Sequence, residues 1–138
     1  MKIEHGSFEF HGTPRDLLSH PKMGASWEGY VVEEVLDAVR PEAAYFWATH
    51  TGAELDLLLF KAGRRYGVEV KRQDAPRLTP AMRVALDDLK LAHLTVLYPG
   101  ARRYELTDRV TVIPAVELAA GKPKAVIASS WSSGRRRR

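Results

Sequence analysis

The sequence contains no cysteine, so disulfide bonds, thiolate zinc sites and cysteine nucleophiles are all excluded. No apolar run approaches the roughly 20 residues that a membrane-spanning helix needs, and the first residues lack the apolar segment of a signal peptide. There is no phosphate-binding GxxxxGK[ST] loop, and the five histidines show no HxxxH or HxH spacing. We therefore expect a cytoplasmic protein with no membrane contact, no ATPase of its own and no histidine-rich metal site.

The composition is that of a single globular domain, with 45% hydrophobic and 28% charged residues among 138. The formal net charge is +4, and the terminal arginine run at residues 135–138 accounts for all of it. A nucleic-acid-binding patch would therefore have to be local. We predict one domain over residues 1–121, with its core at about 24–114, and a flexible basic tail over residues 122–138.

Two short apolar segments in the middle of the chain predict a β-hairpin. Residues 53–60 and 65–71 are each bounded by turn formers, and the link between them contains a glycine. If the turn is centred on residues 62–63, the residue numbers of every opposed pair add up to the same value, so that Leu57 faces Val68. Every other pairing of the hairpin follows from this register.

The same register places Asp56 opposite Glu69, with Lys71 on the same face. Two directly opposed carboxylates repel each other. A Mg²⁺ ion, which often uses only one or two protein carboxylates, would remove that repulsion, and a nearby lysine could orient water or neutralise a phosphate. A solvated, salt-bridged face that includes Glu54 is the alternative. The opposite face is predicted to be apolar and to carry Leu55, Leu57, Leu59, Tyr66, Val68 and Val70.

Helix and strand signals flank the hairpin. Ser26 is the predicted N-cap of a helix that runs to about Val39 and stops before Pro41. Glu28 lies at the start of its buried stripe, either as a first-turn carboxylate stabilised by the helix dipole or as a third acid near the hairpin site. The other predicted elements are an arm or strand with Phe8 and Phe10, a helical turn at 13–18, strands at 43–49, 94–98 and 109–114, a helix from Thr79, and a short helix at 115–120.

Asp56 followed by Glu69-Val70-Lys71 resembles the motif of the PD-(D/E)xK nuclease superfamily. Together with the runs at 24–29 and 51–56, it makes the chain similar to the DUF4143 family over roughly residues 21–114. That domain usually follows an AAA-type ATPase in longer proteins. The resemblance implies an α/β fold of the restriction-endonuclease-like type, with an α-β-β-β-α-β core and a mixed central sheet flanked by helices.

The resemblance also implies a metal-dependent nuclease that hydrolyses DNA phosphodiester bonds. Asp56 and Glu69 would bind Mg²⁺ or Mn²⁺, and Glu28 would be a further acid at the metal. Lys71 would position the attacking water, and lysine and metal together would stabilise charge on the phosphate. The residues expected to contact nucleic acid are Arg64, Arg65, Arg72, Gln73 and Arg77.

A second hypothesis comes from a different class of protein. The domain would be a non-catalytic interaction or regulatory module that works with an AAA-type ATPase in trans. The small net charge and the lack of a readable basic groove favour it. A divalent ion between Asp56 and Glu69 would favour the nuclease, whereas the Lys71 ammonium in that gap would favour the module. A homodimer is compatible with both.

Overall fold

The structure, a computed structural model, describes residues 26–50 and 52–119. The predicted N-terminal arm, the helical turn at 13–18 and the tail at 122–138 lie outside these residues. The described elements are α1 (Trp27–Val39), β1 (Ala43–Ala48), β2 (Glu54–Lys61), β3 (Arg64–Val70), α2 (Pro80–Asp88), β4 (His93–Tyr98), β5 (Tyr104–Thr107), β6 (Val110–Pro114) and α3 (Val116–Ala119).

The first helix begins and ends where the sequence predicts. The Ser26 hydroxyl oxygen accepts a hydrogen bond of 3.1 Å from the Gly29 backbone N–H, which makes Ser26 the N-cap. The helix ends at Val39, after which Arg40 takes a left-handed φ of 53° and donates its N–H to the Leu36 carbonyl. Within the described ranges, every helix is too short or too polar to span a bilayer.

The strands of the described residues form one mixed six-stranded sheet in the order β1-β2-β3-β4-β6-β5. β3, β4 and β6 run parallel, and the other neighbours pair antiparallel. The predicted α-β-β-β-α-β order is observed from α1 to β4, with α2 as the crossover between β3 and β4. The carboxyl ends of β3, β4 and β6 therefore meet at one edge of the sheet, together with the start of β2. We call this the carboxyl edge.

β5 is a strand that the sequence does not predict. It has four residues, is exposed or half-buried throughout, and pairs with β6 alone among the described strands. Its apolar residues Tyr104 and Leu106 alternate with Glu105 and Thr107, but only over four residues, which is about the shortest alternation that indicates a strand.

The predicted hairpin register is confirmed, including the pairing of Leu57 with Val68. The turn residues Ala62 and Gly63 both have positive φ, at 52° and 77°. Two consecutive residues of positive φ match the right-handed twist of the strands in a tight two-residue hairpin. The turn chemistry therefore fixes the register of β2 against β3.

The prediction that Leu55 shares a face with Leu57 is wrong. On the other side of β2, Tyr45 of β1 pairs with Leu58, whereas Trp47 pairs with Leu55. Three residue steps in β2 thus oppose two in β1, which is the signature of a β-bulge. The extra residue shifts the alternation of side chains by one, so Leu55 turns to the opposite face.

Both faces of the sheet are buried, each under its own helix. The face of the hairpin that the sequence predicts to carry the acids and Lys71 lies under α2. A Cβ atom on Gly67 would lie 2.7 Å from a Leu91 methyl carbon and 2.8 Å from a Leu94 methyl carbon. The lack of a side chain at Gly67 therefore lets these two leucines pack closely against β3. On the α1 face, the sheet contributes Leu57, Leu59, Tyr66, Val68, Val70 and Leu97 to the core. On the α2 face, it contributes Tyr45, Trp47, Leu55, Leu58, Leu94, Val96 and Tyr98.

His93 is a buried polar residue at the start of β4, only 1% exposed. Its Nε2 lies 2.8 Å from the Thr111 hydroxyl, whereas its Nδ1 has no hydrogen-bond partner among the described residues. Burial, with a smaller contribution from the nearby Arg109 and against the opposing effect of Asp108, lowers the pKa of His93 from 6.5 to about 4. The folded protein therefore holds this imidazole neutral at pH 7.

We expect His93 to destabilise the fold in acid. Between pH 6.5 and about 4 the unfolded chain binds a proton that the folded chain does not, so the free energy of unfolding falls as the pH drops through this window. Neutral, buried His93 makes its full contribution to the free energy of unfolding above pH 6.5. By about pH 4, the loss of this free energy reaches about 3 kcal/mol. Urea unfolding of the wild type and His93→Gln at several pH values measures it. The wild type should lose more stability than the variant, and parallel curves would contradict the assignment.

Candidate functional site

Asp56 lies in the β2 bulge, one residue before the last pair of the hairpin ladder, Leu57 with Val68. Its Oδ2 accepts a hydrogen bond of 2.8 Å from the Val70 backbone N–H. In a continued ladder that N–H would bond the Leu55 carbonyl. The Asp56 carboxylate takes the place of that carbonyl, ends the ladder, and is held between β2 and β3 at the carboxyl edge.

Glu69 lies on the strand next to Asp56, as predicted, but the ladder ends before the two become partners. Glu69 pairs with Val96 of β4, which places it on the α2 face, and it is 6% exposed. The Lys71 backbone N–H donates to the Leu97 carbonyl at 2.9 Å, so the extended backbone continues past β3. Alternation then places the half-buried Lys71 on the same face as Glu69.

Glu28 lies on the other side of the sheet, in the first turn of α1. Its Oε2 accepts a hydrogen bond of 3.0 Å from Arg72 Nε, and the Arg72 guanidinium carbon lies 5.4 Å from the centre of the Trp27 ring. A hydrogen bond from its own backbone N–H lowers the pKa of the Glu28 carboxyl; Arg72 lowers it further, against a smaller opposing effect of burial. The pair is solvent-exposed and contributes less than about 1 kcal/mol to stability.

The structure therefore brings two of the three predicted acids to one edge and turns the third towards an arginine. Asp56 and Glu69 reach the carboxyl edge from adjacent strands, with Lys71 beside them. In the part of the chain that the structure describes, no group of three or more His, Cys, Asp or Glu residues could hold a metal ion. Among the described residues, Asp56 and Glu69 are the carboxylates that a metal site at this edge would use, without Glu28.

Two of the predicted nucleic-acid contacts lie at the far end of β3. Arg64 starts the strand, about 20 Å from Val70 at roughly 3.3 Å per residue. Arg65 donates from Nη1 to the Leu89 carbonyl at 2.9 Å and lies over the Phe60 ring at 5.6 Å. Arg65 thus caps the end of α2, and neither arginine is near the carboxyl edge.

The other three predicted contacts lie in the loop between β3 and α2, residues 71–79. Gln73 and Arg77 are exposed there, and Arg72 turns towards α1. The Tyr104 hydroxyl donates a hydrogen bond of 2.8 Å to the Pro76 carbonyl and ties the loop to β5. Burial raises the pKa of the Tyr104 phenol.

Sequence reasoning missed a second basic loop at the same edge, residues 99–103. Buried Tyr98 accepts a hydrogen bond from the Arg102 N–H at 3.0 Å and donates one to the Arg102 carbonyl at 2.6 Å. A Cβ on Gly100 would lie only 2.3 Å from the Tyr98 ring, so the loop wraps over that ring because residue 100 is glycine. The Pro99-Gly100 turn followed by Arg102 and Arg103 was the available signal, but it predicts only the end of a strand.

Comparison with known proteins supports the resemblance seen in the sequence. The model of the domain of unknown function DUF4143 matches residues 23–118. Uncharacterized protein Rv2008c of Mycobacterium tuberculosis and uncharacterized protein Mb2031c of Mycobacterium bovis are each 46% identical to the chain over 102 residues. The match covers 74% of this chain and 23% of each relative, so the chain spans just under a quarter of their length. No solved structure matches it significantly. The chain belongs to the DUF4143 family.

Proposed function

We propose that this domain is a PD-(D/E)xK-type nuclease that hydrolyses DNA phosphodiester bonds with the help of Mg²⁺ or Mn²⁺. The observation that carries the proposal is the hydrogen bond from the Val70 N–H to Asp56, which seats one carboxylate beside the strand that bears Glu69 and Lys71. The order of elements from α1 to β4 supports a restriction-endonuclease-like core. Ligands of α/β sheets also tend to bind at the carboxyl ends of the strands.

The residues present fit a small hard cation. Mg²⁺ takes oxygen ligands and often uses only one or two protein carboxylates, with water and substrate phosphate completing its shell. Asp56 and Glu69 would hold it, since the Glu28 carboxylate is engaged by Arg72. When bound, the ion would polarise a phosphoryl oxygen and lower the pKa of a water molecule.

The chain itself contributes orientation and charge. The Val70 N–H fixes Asp56 through one of its two carboxylate oxygens. Lys71 carries a positive charge on the face of Glu69, where it would orient the attacking water and stabilise the negative charge that grows on the phosphate. A preorganised charge of this kind acts mainly in the transition state, because little movement is needed when the reaction occurs.

A non-catalytic module that works with an AAA-type ATPase in trans is the second candidate. Two observations favour it: Glu28 is paired with Arg72, and the described residues contain no three-acid cluster. The relatives extend far beyond the matched segment, so the family domain occurs in them beside further chain. In this case Asp56 would serve only to end the hairpin ladder.

Metal-dependent cleavage tests the two candidates directly. Linear duplex, branched junction, single-stranded DNA and RNA are incubated with the protein and Mg²⁺, Mn²⁺ or EDTA. We expect the wild type and Asp87→Asn, an exposed control on α2, to cut at least one form, and Asp56→Ala to cut that form about a hundred- to a thousandfold more slowly. Saturating metal should also raise the melting temperature of the wild type by mass action. No cleavage of any substrate, together with no thermal shift, would contradict the nuclease and favour the module.

A further inference from the structure

Two loops at the carboxyl edge concentrate positive charge. Residues 71–79, after β3, and residues 99–103, after β4, contain five lysines and arginines and one acid, Asp74. Their net charge of +4 in fourteen residues equals that of the whole chain. Because β3 and β4 are parallel neighbours, the loops start about 5 Å apart.

The loop at 99–103 is held in one conformation by buried groups. Tyr98, 2% exposed, bonds both the N–H and the carbonyl of Arg102 through its hydroxyl. The close approach of Gly100 to the Tyr98 ring fixes the path of the backbone between them. The Arg102 side chain is therefore presented to solvent from an ordered backbone, which reduces the entropy that a ligand must overcome.

The two loops are joined into one surface by a pair of tyrosines. The Tyr98 and Tyr104 rings pack edge to face, with centroids 6.1 Å apart and an angle of 90°. The Tyr104 hydroxyl in turn holds the Pro76 carbonyl of the first loop. The backbones of both loops are thus held relative to each other, and Lys71 lies next to Tyr98 in the sheet.

Two of the arginines are already neutralised and two are not. Arg72 is bonded to Glu28 at 3.0 Å, and Arg103 to Glu117 at 3.3 Å. Arg77 and Arg102 are exposed, and neither side chain makes an ion pair or hydrogen bond within residues 26–50 and 52–119. Guanidinium groups are well suited to phosphate, which they can contact through two parallel N–H groups.

We propose that these loops form a binding surface for the sugar-phosphate backbone of nucleic acid, with Arg77 and Arg102 as its phosphate contacts. The inference rests on the proposed function, because it names the surface through which the substrate reaches Lys71. It also moves the nucleic-acid contacts from the hairpin turn to the carboxyl edge. Arg102 joins Arg77 as a contact, and Arg64 and Arg65 leave the set.

Salt-dependent binding of the full 138-residue chain to a fluorescent duplex, with metal chelated, tests the surface. The Arg77→Ala/Arg102→Ala variant should bind about tenfold more weakly, and its slope of log K against log salt should fall by about 2. Arg64→Ala removes a charge at the far end of β3 and should leave affinity and slope unchanged. Melting temperatures establish that the variants are folded, and Arg77→Lys/Arg102→Lys should restore most of the slope.

The outcomes separate this inference from the proposed function. Equal effects of the double variant and Arg64→Ala, or no effect of either, would overturn the surface even if the wild type cuts DNA. If the double variant lowers the slope of log K against log salt but the wild type cuts no substrate, the binding surface is supported and the proposed nuclease activity is contradicted. Binding of polyglutamate as tightly as duplex, with the same loss in the double variant, would overturn nucleic acid as the ligand.

Discussion

Asp56→Asn should lower metal-dependent cleavage by about a hundred- to a thousandfold while leaving the fold intact. The asparagine side chain keeps a carbonyl oxygen that can accept the Val70 N–H, so the end of the hairpin ladder is preserved. It removes the negative charge that a divalent cation needs. Metal affinity from calorimetry should fall together with the cleavage rate, and the melting temperature should stay close to that of the wild type.

Asp56→Ala is the matched variant, since it removes both the charge and the hydrogen-bond acceptor. It should be as inactive as Asp56→Asn, and it should also lose about 1 kcal/mol of unfolding free energy because the Val70 N–H loses its partner. The difference in stability between the two variants measures the structural role of Asp56, and their shared loss of activity measures the catalytic one. If Asp56→Asn cuts at the wild-type rate, the carboxylate is a hairpin cap and not a metal ligand.

Lys71→Ala should lower the cleavage rate by a similar factor, about a hundred to a thousand, with DNA affinity nearly unchanged. The reason is that the Lys71 charge acts where negative charge develops in the transition state, whereas affinity depends on the arginines of the two loops. Cleavage rate, DNA affinity and melting temperature are measured on the same preparation.

A purely structural Lys71 predicts a different set of results. Removing it would take a positive charge away from the acids Glu69 and Asp56, so stability would drop and any loss of activity would follow unfolding. Added Mg²⁺ would then partly restore the melting temperature. A Lys71→Ala protein that is folded, binds metal and DNA, and cuts at the wild-type rate would rule Lys71 out as a catalytic residue.

Interactions between residues close in sequence could be predicted because they depend on few degrees of freedom. Ser26 caps α1 through a residue three positions away, and the turn at Ala62 and Gly63 fixes the register of β2 against β3. The runs at 24–29, 51–56 and 68–71 together predicted the DUF4143 family, and the match over residues 23–118 confirms that family.

The tertiary structure decided which of these residues share a side of the sheet. The bulge that turns Leu55 to the α2 face arises from pairing with β1, and hairpin symmetry contains no information about that third strand. The partner of Glu28 depends on where the chain goes after β3, since Arg72 is 44 residues away in sequence. Such pairings are set by how whole elements pack, which spacing along one segment does not specify.

Sequence by itself thus determined the local elements, the hairpin register and the family, because each rests on contacts within a few residues or on an ordered motif. Only the fold decided that Asp56 closes the ladder through Val70 and that Glu28 pairs with Arg72. It also decided that the basic loops at 71–79 and 99–103 meet at one edge. The physical reason is that parallel strands bring the ends of distant segments together, and buried hydroxyls such as that of Tyr98 then fix the loops between them.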